Sequence, residues 1–244
     1  MEKMMITFIG TGGAFTPEYG NNSALLQFDN TNLLLDCGYS TPVRLRKMGI
    51  KETMIDNIWI SHMHADHIGG LEEIAFKNFF QGRRINLFIS RDIFPDLEQY
   101  LLATLKYGVT RQLAIADYFN IIMINKEFRI GRRTFKQEKT EHIGTMPAYM
   151  LFYNTFIFTG DTRFIDWTVR DLCGIRFIFH ETRVEKNDNE VHTNLESLLS
   201  LPKEIREKIY CMHYSENIYL KTTAARINSQ GMHIVEPYKA IVLE

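Results

Sequence analysis

Four side chains that can bind a metal ion lie within six consecutive residues of this 244-residue chain. The segment is HMHADH at 62–67, and it directly follows the strand-like run 58–60. Imidazole nitrogens and a carboxylate oxygen form a ligand set that suits zinc, and a strand before them holds their backbone rigid. Only eight residues of the chain are histidine, so an accidental polar loop is the weaker interpretation. The segment therefore predicts a metal site in a loop that follows a strand.

The chain on either side of this segment alternates between strand and helix patterns. In the first half, strands are predicted at 5–9, 23–28, 33–35, 58–60 and 85–89, and helices at 41–49, 71–80 and 92–107. A meander follows at 119–124, 128–130, 133–136, 148–153 and 155–159, then helices at about 164–173 and 193–201 and strands at 175–179 and 208–212. Two mixed half-chains predict sheet packed on sheet with helices outside, an α/β fold with four αββα layers.

Composition limits the organisation and the partners of the chain. Hydrophobic residues make up 45% and no linker-like tract occurs, so we expect residues 1–244 to form a single domain. The formal net charge of −1 provides no basic field for a long nucleic acid. Cys37, Cys173 and Cys211 form no CxxC pair, which favours a reducing compartment. No stretch resembles a signal peptide or a membrane span, so we expect a cytoplasmic protein without a membrane partner.

The six-residue segment resembles the HxHxDH signature of the metallo-β-lactamase superfamily, which His62, His64, Asp66 and His67 match. The resemblance extends along nearly the whole chain and implies three further ligands after later strands, His142, Asp161 and His213. It implies two zinc ions, one bound by His62, His64 and His142 and the other by Asp66, His67 and His213, with Asp161 bridging them. Mn²⁺ could occupy the same ligands.

Within that superfamily the chain is most similar to the branch that contains ribonuclease Z, the tRNA 3′-processing endonuclease. The matching segments are GTGGA at 10–14, GDT at 160–162, HET at 180–182, HT at 192–193 and HYS at 213–215. The resemblance implies that His192 is catalytic without binding metal; the alternative is a surface histidine beside Thr193 at a helix start. We interpret His180 as a structural residue next to the site.

Two departures from the tRNA enzymes bear on the substrate. Those enzymes carry a long arm between the third histidine and the bridging aspartate, whereas the eighteen residues 143–160 leave room only for a hairpin. Their PxKxRN loop is replaced by PEYGNN at 17–22, which has no cation. The arm and the cationic loop that bind RNA in those enzymes are therefore missing, and we expect tRNA not to be a partner. Tyr19, Asn21 and Asn22 are candidates to bind a smaller substrate, although turn chemistry also explains asparagine there.

These observations predict a dinuclear-metal phosphodiesterase. Two metal ions activate a water and neutralise charge on a phosphoryl group; Asp66 would orient or deprotonate that water, and His192 would stabilise the phosphoryl group or protonate the leaving oxygen. The chain is most similar to the phage-type anti-Pycsar enzymes, which implies a homodimer that hydrolyses 3′,5′-cyclic nucleotides to 5′-monophosphates, in the host cytoplasm if a phage encodes it. One alternative is a tRNA endonuclease that binds its RNA through another subunit. Another is a protein that binds nucleotides without turnover (a nucleotide sponge), or a structural scaffold.

Overall fold

A computed structural model describes residues 3–185, 191–215, 218 and 221–244. The strands are β1 (Met5–Gly10), β2 (Ser23–Phe28), β3 (Thr31–Leu35), β4 (Asn57–Trp59), β5 (Ile85–Ser90), β6 (Phe119–Ile124), β7 (Glu127–Ile130), β8 (Arg133–Thr140), β9 (Ala148–Tyr153), β10 (Phe156–Phe158), β11 (Phe177–Glu181), β12 (Ile209–Met212), β13 (His233–Ile234) and β14 (Ala240–Val242). The helices are α1 (Thr41–Lys47), α2 (Ala65–Ile68), α3 (Leu71–Phe79), α4 (Phe94–Leu105), α5 (Leu195–Leu199), α6 (Lys203–Arg206) and α7 (Lys221–Ser229). Proline in the first turn of α1 and of α4 favours the start of each helix.

The strands form two seven-stranded mixed sheets that pack face to face. Their orders are β14-β1-β2-β3-β4-β5-β6 and β13-β12-β11-β10-β9-β8-β7. Side chains alternate between the faces of a strand, so Phe156 and Phe158 of β10 point into the core between the sheets while Ile157 points to a second core outside. The Phe8 ring on the first sheet lies 5.3 Å from the Phe179 ring on the second, centroid to centroid.

Helices cover the outer faces. In α3, Leu71, Ile74 and Ala75 are buried in the same core as the first sheet. The second core combines the outer face of the second sheet with buried residues of α5, α6 and α7, which include Leu198 and Ile227. The predicted four-layer αββα sandwich is confirmed. Among the described residues, no helix is long and apolar enough to cross a membrane.

The helix expected at about 164–173 does not form; only Trp167–Val169 makes a 3-10 turn. The side chain of Asp166 accepts a hydrogen bond from the Thr168 backbone N–H, and that of Asp171 accepts one from Cys173. Such local bonds offer the backbone an alternative to the helical ladder. Hydrophobic spacing alone therefore led to a wrong prediction here.

The metal-binding segment is not a loop throughout. Its first half connects β4 to α2, whereas Asp66 and His67 lie on the four-residue helix α2. The pattern also did not predict α6, α7, β13 or β14, although β14 pairs antiparallel with β1 and extends the first sheet. Between His142 and Asp161, β9 and β10 form the expected antiparallel hairpin.

Candidate metal centre

The ligand-type side chains meet at one edge of the sandwich, where strands from both sheets end. The first sheet supplies the segment after β4, and the second supplies residues that follow β8, β10 and β12. A backbone hydrogen bond from Tyr149 N–H to the Ser61 carbonyl, 3.0 Å long, joins the two sheets at this edge. The structure thereby brings together all seven residues that the sequence proposes as ligands: His62, His64, Asp66, His67, His142, Asp161 and His213.

Three imidazoles form the first of two ligand sets. The Nδ1 atom of His64 lies 3.1 Å from Nε2 of His62 and 3.1 Å from Nε2 of His142. Zinc binds histidine nitrogens at about 2.0–2.1 Å in tetrahedral geometry, which separates two such nitrogens by about 3.3 Å. The spacing of the three nitrogens therefore suits one metal ion.

Asp66, His67 and His213 form the second ligand set. The Oδ2 atom of Asp66 lies 3.4 Å from Nε2 of His67 and 3.3 Å from Nε2 of His213. His67 is fully buried, and Asp66 and His213 are nearly so. One carboxylate and two imidazoles at this spacing suit a second metal ion of the same kind.

Asp161 lies between the two sets. Its Oδ1 atom is 3.3 Å from Nε2 of His67 and of His213, and its Oδ2 atom is 3.8 Å from Nε2 of His62 and of His142. Gly160 precedes it with φ +59, and a Cβ there would lie 3.1 Å from Cβ of Ser61. The left-handed turn that aims Asp161 into the centre thus requires glycine.

Orphaned polar atoms indicate that cations belong at this centre. Nε2 of His67 and Oδ1 of Asp161 are buried and make no hydrogen bond within the described residues. A buried polar atom without a partner is costly, and metal binding would satisfy both atoms. The donor set therefore fits two metal ions.

Neighbouring groups orient the ligand rings. The Nδ1 atom of His67 donates to Asp36 at 2.8 Å, and the Ser61 hydroxyl donates to the same carboxylate at 2.7 Å. That hydroxyl lies 2.9 Å from Nδ1 of His62, while Nδ1 of His142 donates to the Val191 carbonyl at 2.8 Å. Because a neighbouring group occupies Nδ1 of each ring, Nε2 is the nitrogen left to bind a metal.

The charges around the two sets differ. Burial lowers the pKa of His62, and it lowers the pKa of His142 to about 4. Burial also acts to lower the pKa of His67 and of His213, but Asp161 and the other nearby carboxylates outweigh it and raise both. Burial therefore favours neutral imidazoles in the first set, whereas the carboxylates of the second set favour imidazolium in the metal-free chain.

His192 lies beside the centre and is held by Glu181. The Nδ1 atom of His192 is 2.6 Å from Oε2 of Glu181, and the other oxygen of Glu181 accepts a 2.5 Å hydrogen bond from Thr162 N–H. Burial raises the pKa of Glu181 and lowers that of His192 to about 4, so both groups favour the neutral form. The two side chains share one proton along their hydrogen bond, and His192 is not an isolated surface histidine.

A cavity of about 750 Å³ opens over the centre. His64, Asp66, Asp161, His192 and His213 line its floor, and Phe15, Tyr39 and Arg183 line its walls. Sequence reasoning missed the three wall residues, and it also missed Asp36 and Glu181. Both had a local signal: Asp36 is a carboxylate directly after the apolar strand β3, and Glu181 lies in the matching HET segment at 180–182.

The residues suggested for substrate contact do not line this cavity in the described part of the chain. Asn21 is buried, and it exchanges hydrogen bonds with Ser40 through its backbone N–H and its side-chain oxygen. Asn22 is fully buried and contacts the sulfur of Met212, and the Tyr19 ring packs edge-on against Tyr214. These contacts hold the loop after β1 in place. His180 is buried behind the centre, in ring contact with Trp167, in agreement with a structural role.

Comparison with known proteins identifies close relatives by sequence. A family model described as Anti-Pycsar protein Apyc1 matches residues 4–239. An Anti-Pycsar protein Apyc1 of Paenibacillus harenae is 37% identical over 97% of this chain and 98% of its own. A protein of the same name from Bacillus phage BSP38 is 35% identical over 93% of this chain and 96% of its own.

Solved structures share the fold at lower identity. A diphosphatase of the PhnP family superposes with a TM-score of 0.77 at 20% identity, covering 99% of this chain and 100% of its own. The metallo-β-lactamase fold protein YhfI of Bacillus subtilis gives a TM-score of 0.75 at 17% identity, with the same coverage. The sandwich is thus a metallo-β-lactamase fold, as the sequence resemblance implied.

Proposed function

Since this chain belongs to the Anti-Pycsar protein Apyc1 family, we propose that it is a dinuclear-metal phosphodiesterase that opens 3′,5′-cyclic nucleotides to 5′-monophosphates. The observation that carries the proposal is the pair of ligand sets that share Asp161 at the floor of one cavity. Two metal ions held there, zinc or manganese, would supply a nucleophilic water at neutral pH and offset charge on the phosphoryl oxygens.

Asp66 is suited to orient the attacking water. Burial acts to raise its pKa, but the neighbouring imidazoles of His213 and His67 outweigh it and hold the pKa of Asp66 far below its usual range. The carboxylate is therefore ionised at neutral pH and accepts hydrogen bonds. It borders the cavity, where it can accept a proton from water or hold that water in line with the P–O3′ bond.

His192 is suited to protonate the leaving oxygen. When Nε2 of His192 gives a proton to O3′, Nδ1 receives the proton that it shares with Glu181, so the imidazole remains neutral and the charge ends on the carboxylate. Glu181 is a positioning residue in this scheme, because it acts on substrate only through His192.

The cavity favours a small substrate over tRNA. The hairpin of β9 and β10 occupies the position at which the tRNA enzymes carry an arm, and the net charge of −1 supplies no counterion-release term for a long polyanion. Arg183 nevertheless lines the cavity near enough to His192 to lower its pKa, so the site offers a local cation to one phosphate group. A cyclic nucleotide needs no larger basic surface.

The test compares substrates on one preparation of metal-replete protein. We expect each 3′,5′-cyclic nucleotide of a panel to yield its 5′-monophosphate, identified by chromatography, in Zn²⁺ or Mn²⁺, and chelated protein to be inactive until metal is restored. Cleavage of a tRNA precursor at its 3′ end without consumption of any cyclic nucleotide would instead establish the endonuclease. Stoichiometric binding without turnover would establish a sponge. Sedimentation of the same preparation tests the homodimer, which we propose from the family resemblance.

A further inference from the structure

Phe15 has no role in the chemistry above, yet it occupies a prominent position. Its side chain is 94% exposed, and it lines the cavity beside the ligand-type residues. In the described part of the chain its ring packs against no other aromatic ring. Other large apolar side chains are also exposed, such as Phe80 and Val169, but neither lines this cavity, so Phe15 alone of the three is placed to cover an apolar part of a ligand bound there.

The backbone on both sides of Phe15 is held by hydrogen bonds, so the fold sets the point from which the ring projects. Thr16 N–H donates to the Gly13 carbonyl at 3.3 Å, which closes a tight turn, and Gly13 N–H donates to the Tyr214 carbonyl at 3.2 Å. The Tyr39 hydroxyl donates to the Ala14 carbonyl at 2.6 Å. Because the backbone is already ordered, ligand binding would need to order only the side-chain torsions of Phe15.

The walls of the cavity differ in chemistry. Arg183 on the wall and His192 on the floor provide polar groups, while Phe15 and the half-exposed Tyr39 provide aromatic rings. A nucleotide has the same division, with an anionic phosphate at one end and a flat base at the other. A volume of about 750 Å³ lies within the range of cavities that bind small molecules.

We propose that Phe15 stacks against the nucleobase of the bound nucleotide, with Tyr39 beside it. The identification of the ligand as a nucleotide rests on the proposed function. Because every base has a π-face, stacking of this kind tolerates all four bases and favours the larger purines. Phe15 thereby determines affinity for the base, while the centre and Arg183 bind the phosphate.

Calorimetry with two ligands isolates the base. Adenosine 5′-monophosphate and ribose 5-phosphate share a sugar and a phosphate, and only the first has a base. We expect Phe15→Ala to weaken binding of adenosine 5′-monophosphate to the metal-replete protein by about 5- to 100-fold, the range for loss of one stacked base, and to leave ribose 5-phosphate unchanged. Phe15→Trp should retain the affinity. The control is Phe80→Ala, which removes a 74% exposed ring at the C-terminal end of α3 and should change the affinity for neither ligand.

Three results would overturn the inference: wild-type affinity of Phe15→Ala for the nucleotide, absence of nucleotide binding by the wild-type protein, or equal weakening of both ligands. Equal weakening together with altered sedimentation would assign Phe15 to a subunit contact. The outcome is independent of the proposed reaction. If no cyclic nucleotide is hydrolysed but the base-dependent loss is found, the stacking role stands and the reaction fails. If hydrolysis is found without that loss, only the stacking role fails.

Discussion

The two ligand sets use similar side chains but prepare them for a cation in different ways. Burial keeps His62 and His142 neutral, so the first set presents lone pairs that already converge. In the second set, the carboxylates raise the pKa of His67 and of His213, which favours protons on the ring nitrogens that a metal would bind. On these pKa directions the first set is prepared for a cation, whereas metal binding to the second set would release protons.

Asp161→Ala tests whether the two sets form one centre, and we expect the largest effect here. Asp161 contacts imidazoles of both sets, so its removal should lower metal content from two ions per chain and reduce hydrolysis by about 10³-fold or more. Elemental analysis and initial rates measure the two quantities. Asp96→Ala, at an exposed position on α4, serves as control. Two ions per chain retained in Asp161→Ala would contradict the shared-ligand arrangement.

His192→Ala tests whether a further ligand set exists, because Asp161, Glu181, His192 and His213 also lie close enough to hold a metal. The hydrogen bonds of Glu181 to His192 and Thr162 favour a catalytic pair instead. We expect kcat to fall by about 10²–10⁴-fold with metal content unchanged.

The exposed His233, changed to Ala, provides the matched control for that experiment. Loss of a metal ion from His192→Ala would make His192 a ligand. An unchanged kcat would remove it from the reaction altogether.

Asp36→Asn and Ser61→Ala perturb the two sets separately. Asp36 contacts His67 directly and reaches His62 only through the Ser61 hydroxyl. We expect Asp36→Asn to weaken metal binding to the second set by about 10–100-fold, and Ser61→Ala to weaken the first set by less. Competition with a chromophoric chelator resolves the two affinities. Equal loss of both affinities in both variants would mean that the sets are not independent.

The smallest expected effect is a difference in pH dependence. A raised pKa keeps His67 and His213 protonated in the metal-free chain up to a higher pH than an ordinary imidazole, so protons compete with metal at the second set increasingly as the pH falls through the neutral range. The first set stays neutral over this range, because its lowered pKa values include that of His142 at about 4. Titration in buffers of different ionisation enthalpy should detect proton release mainly with one of the two ions. Equal release with both would remove the charge difference between the sets.

Residues close together in sequence carried most of what could be predicted. The segment 62–67 predicted a metal site because four ligand-type residues follow one strand. Alternating patterns predicted the layers of the sandwich because the core faces of strands and helices leave a local signal. His142, Asp161 and His213 were reached only through resemblance, since each stands alone at the end of a strand. The helix expected at 164–173 was wrong because side-chain bonds from Asp166 and Asp171 competed with the helical ladder.

The sequence by itself determined the sandwich, the candidate metal-binding segment and the absence of an arm. Tertiary structure alone decided which residues after β1 face the cavity. Asn21 and Asn22 are buried in the loop that they stabilise, whereas Phe15 lines the cavity. It also decided the partnership of Glu181 with His192 and the raised pKa of His67. The physical reason is that hydrogen bonds and charges act through space between strand ends that are far apart in the chain, so their effect has no sequence period.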